Sequence, residues 1–192
     1  MTVELLAGLD VSSKQGKEYL GGIVGLKESI TSTHKRLGYE QIHMRTLGGK
    51  TREIILGKLI FDLDYFPFCI RTDRNAIIGE SMKSRNVRHS AVRRMVLEKH
   101  FDRIVYSYIC VEILPFLQKY KMDMTDFSFE CDIDCKNLVR RSGGRQIEQG
   151  IAHDLADIIA WSFTRGKRLK SPKYSDKSDK LLRAMADFVR KQ

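Results

Sequence analysis

One segment, residues 150–161, constrains the chain more than any other: Gly-Ile-Ala-His-Asp-Leu-Ala-Asp-Ile-Ile-Ala-Trp. Ile147, Ile151, Leu155, Ile158, Ile159 and Ser162 recur at helical spacing and predict a helix with one face on a core. His153, Asp154 and Asp157 fall on another side of that helix. Aspartate is a mediocre helix former, because its short carboxylate competes for nearby backbone N–H groups. Asp157, set among Leu155, Ala156, Ile158 and Ile159, therefore marks either a solvated polar face or the rim of a site shared with other carboxylates.

The chain has 192 residues, 42% of them apolar, which suits one domain with a core of ordinary size. No apolar run reaches the roughly 18 residues of a membrane span, so no membrane partner is expected. The opening Met-Thr-Val-Glu has no basic flank ahead of an apolar run, and no signal peptide is expected. Cys69, Cys110, Cys131 and Cys135 lack Cys-x-x-Cys spacing. They read as free thiols in a reducing cytoplasm rather than as structural zinc ligands. The net charge of +10 favours a polyanionic partner, RNA or DNA first. Residues 165–192 hold ten Lys or Arg against three Asp, a net of +7. The expected division is a domain over 1–166 followed by a basic linker and short helix over 167–192.

In chain order, residues 4–11 predict a strand ending at Asp10, and 12–18 a polar turn. Residues 19–26 predict a second, hairpin-paired strand. Its Gly21, Gly22 and Gly25 signal close approach of another backbone. A helix over 27–37 closes at Gly38, a short strand over 41–47 carries His43, and a helix over 51–64 starts on Thr51. Residues 65–71 read as an edge strand because of Pro67. Residues 71–88 are polar and basic, and Arg71, Arg74, Lys83, Arg85 and Arg88 are candidates to meet phosphates. Residues 90–120 predict one long helix with its last turns kinked at Pro115. Residues 126–134 alternate as a strand, with Glu130, Asp132 and Asp134 on one face. The basic loop over 140–146 adds Arg140, Arg141 and Arg145 as phosphate candidates, and the 167–174 linker adds Lys167, Arg168 and Lys170.

Carboxylates thus stand at the end of the first strand (Asp10), on the last strand (Asp132, Asp134) and on the following helix (Asp154, Asp157). Like charges this close need solvent, protonation or a cation. Oxygen ligands of this kind suit Mg²⁺ or Mn²⁺. A pair of such ions about 4 Å apart can activate water and stabilise the leaving oxygen of a phosphodiester. The bland alternatives are a turn-forming Asp10, an exposed acidic strand face, and a His43 packed against a neighbouring strand.

Over residues 4–163 the pattern resembles the RNase H-like superfamily, and within it a large family of expected nucleases. That family reads Asp-Glu-Ser-Gly on its first strand, a Glu-x-His-like stretch, and Leu-Gln-x-Ala-Asp-x-x-Ala near its end. Here the corresponding pieces are Asp10-Val11-Ser12-Ser13, Glu40-Gln41-Ile42-His43 and His153-Asp154-Leu155-Ala156-Asp157-Ile158-Ile159-Ala160. Val11 replaces the second acid of the first motif, and Asp154 stands where the family has Gln. The resemblance implies an α/β fold, a mixed sheet with antiparallel first strands flanked by helices. It implies that Asp10 bridges metal ions held also by Asp157 and by Asp132 or Asp134, with His43 orienting the attacking water or assisting the leaving group.

Three functions follow as expectations. The first is an Mg²⁺- or Mn²⁺-dependent nuclease. The second is a non-catalytic nucleic-acid-binding protein on the same scaffold. The third is a protein–protein module in which residues 175–189 dock on a partner or on a second copy, giving a homo-oligomer.

Overall fold

The computed structural model describes residues 4–59, 65–83, 90–122, 128–167, 169 and 175–191, without the side chains of Ser90, Asp134, Ser175, Val189 and Arg190. Its elements run β1 (Leu5–Lys14), β2 (Lys17–Leu26), α1 (Lys27–Leu37), α2 (Gly49–Lys58), β3 (Tyr65–Arg71), α3 (Arg74–Lys83) and α4 (Ser90–Lys119). They continue with β4 (Ser128–Cys131), α5 (Ile133–Arg141), β5 (Arg145–Ile147), α6 (Ile151–Thr164), β6 (Ser175–Asp176) and α7 (Ser178–Arg190). The fold is α/β. Five strands form a mixed sheet in the order β5-β4-β1-β2-β3, and the two-residue β6 extends its edge beside β3. No helix among the described residues is long and apolar enough to cross a membrane.

β1 and β2 form a hairpin in which Lys14 pairs with Lys17 across Gln15 and Gly16. Both turn residues have positive φ, 53° and 73°, the backbone that continues the twist of the strands it joins. The strands are therefore longer than the sequence suggests. β2 pairs antiparallel with β3, whereas β4 and β5 add in parallel on the other side of β1.

The pleat divides β1. Leu5, Ala7 and Leu9 join a core with Val105, Ile109 and Ile113 of α4, Val139 of α5 and Leu181 and Met185 of α7. Leu6 joins a second core with Ile30 of α1, Ile55 of α2 and Leu155, Ile158 and Ile159 of α6. By the same alternation Gly8, Asp10 and Ser12 face α6. The segment read as a linker and basic helix is thus tied in, with β6 on β3 and α7 in the first core.

α6 touches the sheet through glycines. A Cβ on Gly8 would overlap the Ala152 carbonyl, and one on Gly21 would overlap the backbone of Ala156 and Ala160. With these side chains reduced to hydrogen, the helix lies backbone to backbone on β1 and β2. Every residue from Ala152 to Ser162 is buried, so α6 has no solvated face. The sequence placed His153, Asp154 and Asp157 away from the core, but they point into the seam between α6, β1 and the chain around 40–46.

Several local expectations change. Residues 41–47 form turns rather than a strand, since β1 and β2 already have neighbours on both sides. α2 begins at Gly49 on a Gly48 cap, not at Thr51. The basic stretch after Arg71 contains α3, with Ile77 and Ile78 buried. β4 stops at Cys131 because Asp132 caps α5: its carbonyl accepts from Lys136 N–H (2.9 Å) and its Oδ1 from Cys135 N–H (3.3 Å). Glu130, Asp132 and Asp134 therefore do not share a strand face. Residues 140–146 are the end of α5 and the start of β5 rather than one loop.

Gly8→Ala and Gly21→Ala should each destabilise the fold by about 3 kcal/mol or more, because α6 must lift from the sheet. Gly79→Ala, with open space around it inside α3, should gain about 0.5–1 kcal/mol. Urea denaturation of the three variants checks this; equal effects at Gly8 and Gly79 would contradict it.

Candidate metal centre

The start of α6 is fixed from β4. Gly150 has no side chain to cap the helix. Instead the buried Glu130 carboxylate accepts from the N–H groups of Ala152 (2.8 Å) and His153 (3.4 Å). A Cβ on Gly150 would sit 2.7 Å from that carboxylate, so glycine makes the room. An anion at a helix N-terminus is favoured by the unpaired N–H groups and the dipole. Burial nevertheless pushes the Glu130 carboxyl upward, against the two N–H bonds that lower it.

The next turn of α6 holds the chain around 40–46. Asp154 Oδ2 accepts from His34 Nε2 of α1 (2.9 Å) and from the Ile42 N–H (2.8 Å). Asp157 Oδ2 accepts from the Met44 N–H (2.6 Å) and lies 3.3 Å from His43 Nδ1. Arg52 of α2 closes the same turn from outside, donating to the carbonyls of Met44 (2.7 Å) and Arg45 (2.9 Å) while lying over the Trp161 ring. Without a sheet partner, this segment satisfies its backbone on carboxylates and a guanidinium.

Between α6 and β1 the charges are incompletely matched. Asp10 is 5% exposed and Asp157 2%. The Asp157 carboxyl is pushed up to about 6, first by burial and then by the neighbouring Asp10 carboxylate. His153 Nε2 lies 3.4 Å from Asp10 Oδ1, without hydrogen-bond geometry, and has no hydrogen-bond partner among the described residues. Burial works against the His153 cation, but Asp10, Asp132 and Asp154 outweigh it and raise its pKa. One ligand atom each from Asp10, Asp132 and His153 lie within 4.8 Å of one another.

That donor set fits a divalent cation. Two carboxylates and an imidazole suit Mn²⁺ and related first-row ions better than an all-oxygen site would, and Mg²⁺ remains compatible with the carboxylates. A cation would give the orphaned His153 nitrogen a partner and relieve the repulsion between Asp10 and Asp157. The missing acid at Val11 removes nothing from this cluster, because Val11 is on the opposite face of β1, against the first core.

Of the residues expected from sequence, Asp10, Asp132, Asp157 and His43 gather here. The backbone of Asp134 lies in α5, and its side chain is outside the described residues. Glu130, His34, Asp154 and His153 were not chosen as site residues. His153 and Asp157 stand four apart on one helix and could face one ion, but such spacing arises easily by chance and carries little weight in the sequence. Among the basic candidates, Arg71 pairs with Asp73 and Glu80, Arg74 and Arg141 share Asp102, and Lys167 pairs with Glu53. Lys83, Arg140 and Arg145 are exposed. Arg85, Arg88, Arg168 and Lys170 lie outside the described residues.

The raised Asp157 carboxyl gives a signed pH dependence. Its ordinary unfolded value is about 3.9. The stabilisation is whole below that value and is lost as pH rises through about 6. For a shift of this size the loss is on the order of 2–3 kcal/mol. In a chelating buffer the melting temperature should fall between pH 5 and 7.5, and Asp157→Asn should flatten the fall. Mn²⁺ should restore the wild type at pH 7.5 by replacing the proton. Parallel pH profiles for wild type and Asp157→Asn would contradict this.

No protein-family model, curated protein or solved structure matches the chain.

Proposed function

We propose that this protein is a divalent-metal-dependent nuclease on an RNase H-like fold. The observation that carries the reading is the convergence of Asp10, Asp132 and His153 from β1, the β4–α5 junction and α6, with Asp157 beside Asp10. The antiparallel β1, β2 and β3, the parallel β4 and the acid on a late helix support the RNase H-like assignment. The net charge of +10 supports a polyanionic substrate, RNA or DNA.

Asp10, Asp132 and His153 would hold one cation, and Asp10 with Asp157 a second. Such ions activate water and stabilise the departing oxygen of a phosphodiester. The chain's own residues set the geometry for this. Asp10 is fixed by β1 between two strands. Asp157 is oriented by the Met44 N–H. The His43 side chain is 51% exposed and has Nδ1 on Asp157. Its Nε2 has no partner among the described residues and can pass a proton to the leaving oxygen.

Asp10→Asn should lower Mn²⁺- or Mg²⁺-dependent cleavage of RNA and DNA oligonucleotides by at least about a hundredfold, the scale of losing one charge-stabilising group. Circular dichroism should be unchanged. Equal cleavage by the variant would end the reading. Salt-sensitive binding by a wild type that cleaves nothing, whichever divalent ion is supplied, would favour the non-catalytic binding protein instead.

A further inference from the structure

Beside the acidic centre, on the other face of the β1–β2 hairpin, lies a cleft of about 430 Å³. Arg45, Arg74 and Arg141 line it from the turn after Met44, the first residue of α3 and the last of α5. It is linked to the acidic centre at three points. Val11 lines it and follows Asp10. Arg45 lines it and follows Met44, whose N–H holds Asp157. Cys135 lines it and donates its N–H to Asp132.

The three cations are not equivalent. Asp102 accepts from Arg74 (2.5 Å) and from Arg141 (3.1 Å), so one carboxylate neutralises part of a guanidinium pair and fixes both. Arg74 also lies 5.0 Å from the Phe101 ring centroid. Arg45 is exposed, and among the described residues its side chain has no hydrogen bond or ion pair. Its backbone, by contrast, is tied to Arg52. A separate observation points to a ligand. Thr72 lines the cleft just before α3, is only 9% exposed, and its buried Oγ1 has no hydrogen-bond partner among the described residues. A guanidinium fork and two buttressed arginines are the donors that an anionic phosphate oxygen takes.

We propose that this cleft seats backbone phosphates of the nucleic-acid strand next to the phosphate presented to Asp10, with Arg45 as the principal contact. This rests on the nuclease reading for its substrate. It adds a seat separate from the metal ligands, which acts through phosphate charge and reads no base. Arg74 and Arg141, kept in place by Asp102, contribute fixed positive edges rather than free charges.

The test is binding of a fluorescent single-stranded oligonucleotide in EDTA, with affinity followed over a salt series. Arg45→Ala should weaken binding about tenfold and flatten the log–log salt slope by about one. Arg45→Glu should weaken it further. Lys27→Ala, at the far end of the β1–β2 hairpin and paired with Glu4, should change neither. Arg45 is exposed and unpaired, so melting temperatures should stay level, and a reading at equal stability is available. Wild-type affinity and slope in Arg45→Ala, or an equal loss in Lys27→Ala, would overturn the proposal. The nuclease reading fails separately: if the wild type cleaves nothing with Mn²⁺ while Arg45→Ala still loses affinity, the seat stands and the catalytic reading falls.

Discussion

The contact on which the molecule depends is the backbone-to-backbone seat of α6 on β1 and β2. Gly8 and Gly21 remove the side chains that would hold the helix at ordinary helix–sheet distance. Once α6 is that close, its polar residues cannot reach water past the strands. His153, Asp154 and Asp157 must find partners on β1, on α1 or in the chain between α1 and α2. The hydrogen bonds of Asp154 and Asp157 to Ile42 and Met44 are the outcome. The same contact that makes the core dense therefore shapes the 40–46 turn, which carries His43 to Asp157 and Arg45 to the neighbouring cleft.

Burying acids together is unfavourable, and the structure answers each one differently. Glu130 receives helix N–H groups, and Asp154 receives an imidazole and an N–H. Asp132 caps a helix. Asp157 receives the Met44 N–H but stands against Asp10 across the seam, so the two carboxylates repel. Three carboxylates are thus occupied by structural work, and the mismatch is concentrated at Asp10 with His153 and Asp157 around it. Charge left uncompensated in a dry, well-supported place is the usual mark of a functional site.

Much of this was legible in the sequence. The hairpin, the long α4 and the helix with Asp157 follow from periodicity and turn residues, and Gly21 announced a close backbone neighbour. Asp10 and Asp157 each stood out as an acid in an apolar stretch, and the resemblance to the RNase H-like pattern paired them. What failed had physical causes. The 126–134 alternation looked like one strand, but Asp132 is a better helix cap than a strand residue, and a pattern of period two cannot reveal that. Residues 41–47 had strand composition, but β1 and β2 are each already paired on both sides. Ile77 and Ile78 were hidden among charges, so α3 was read as a basic loop. His153 was undervalued because its partners, Asp10 and Asp132, are distant in the chain, and only the fold brings them together.

The central claim is that the seam between β1 and α6 is a cation site. Anomalous diffraction from crystals soaked in Mn²⁺ tests it most directly. A peak is expected at about 2.0–2.3 Å from carboxylate oxygens of Asp10 and Asp132 and from His153 Nε2. A second peak toward Asp157 would complete a two-ion arrangement. Saturating Mn²⁺ with these side chains in place and no peak among them would contradict it.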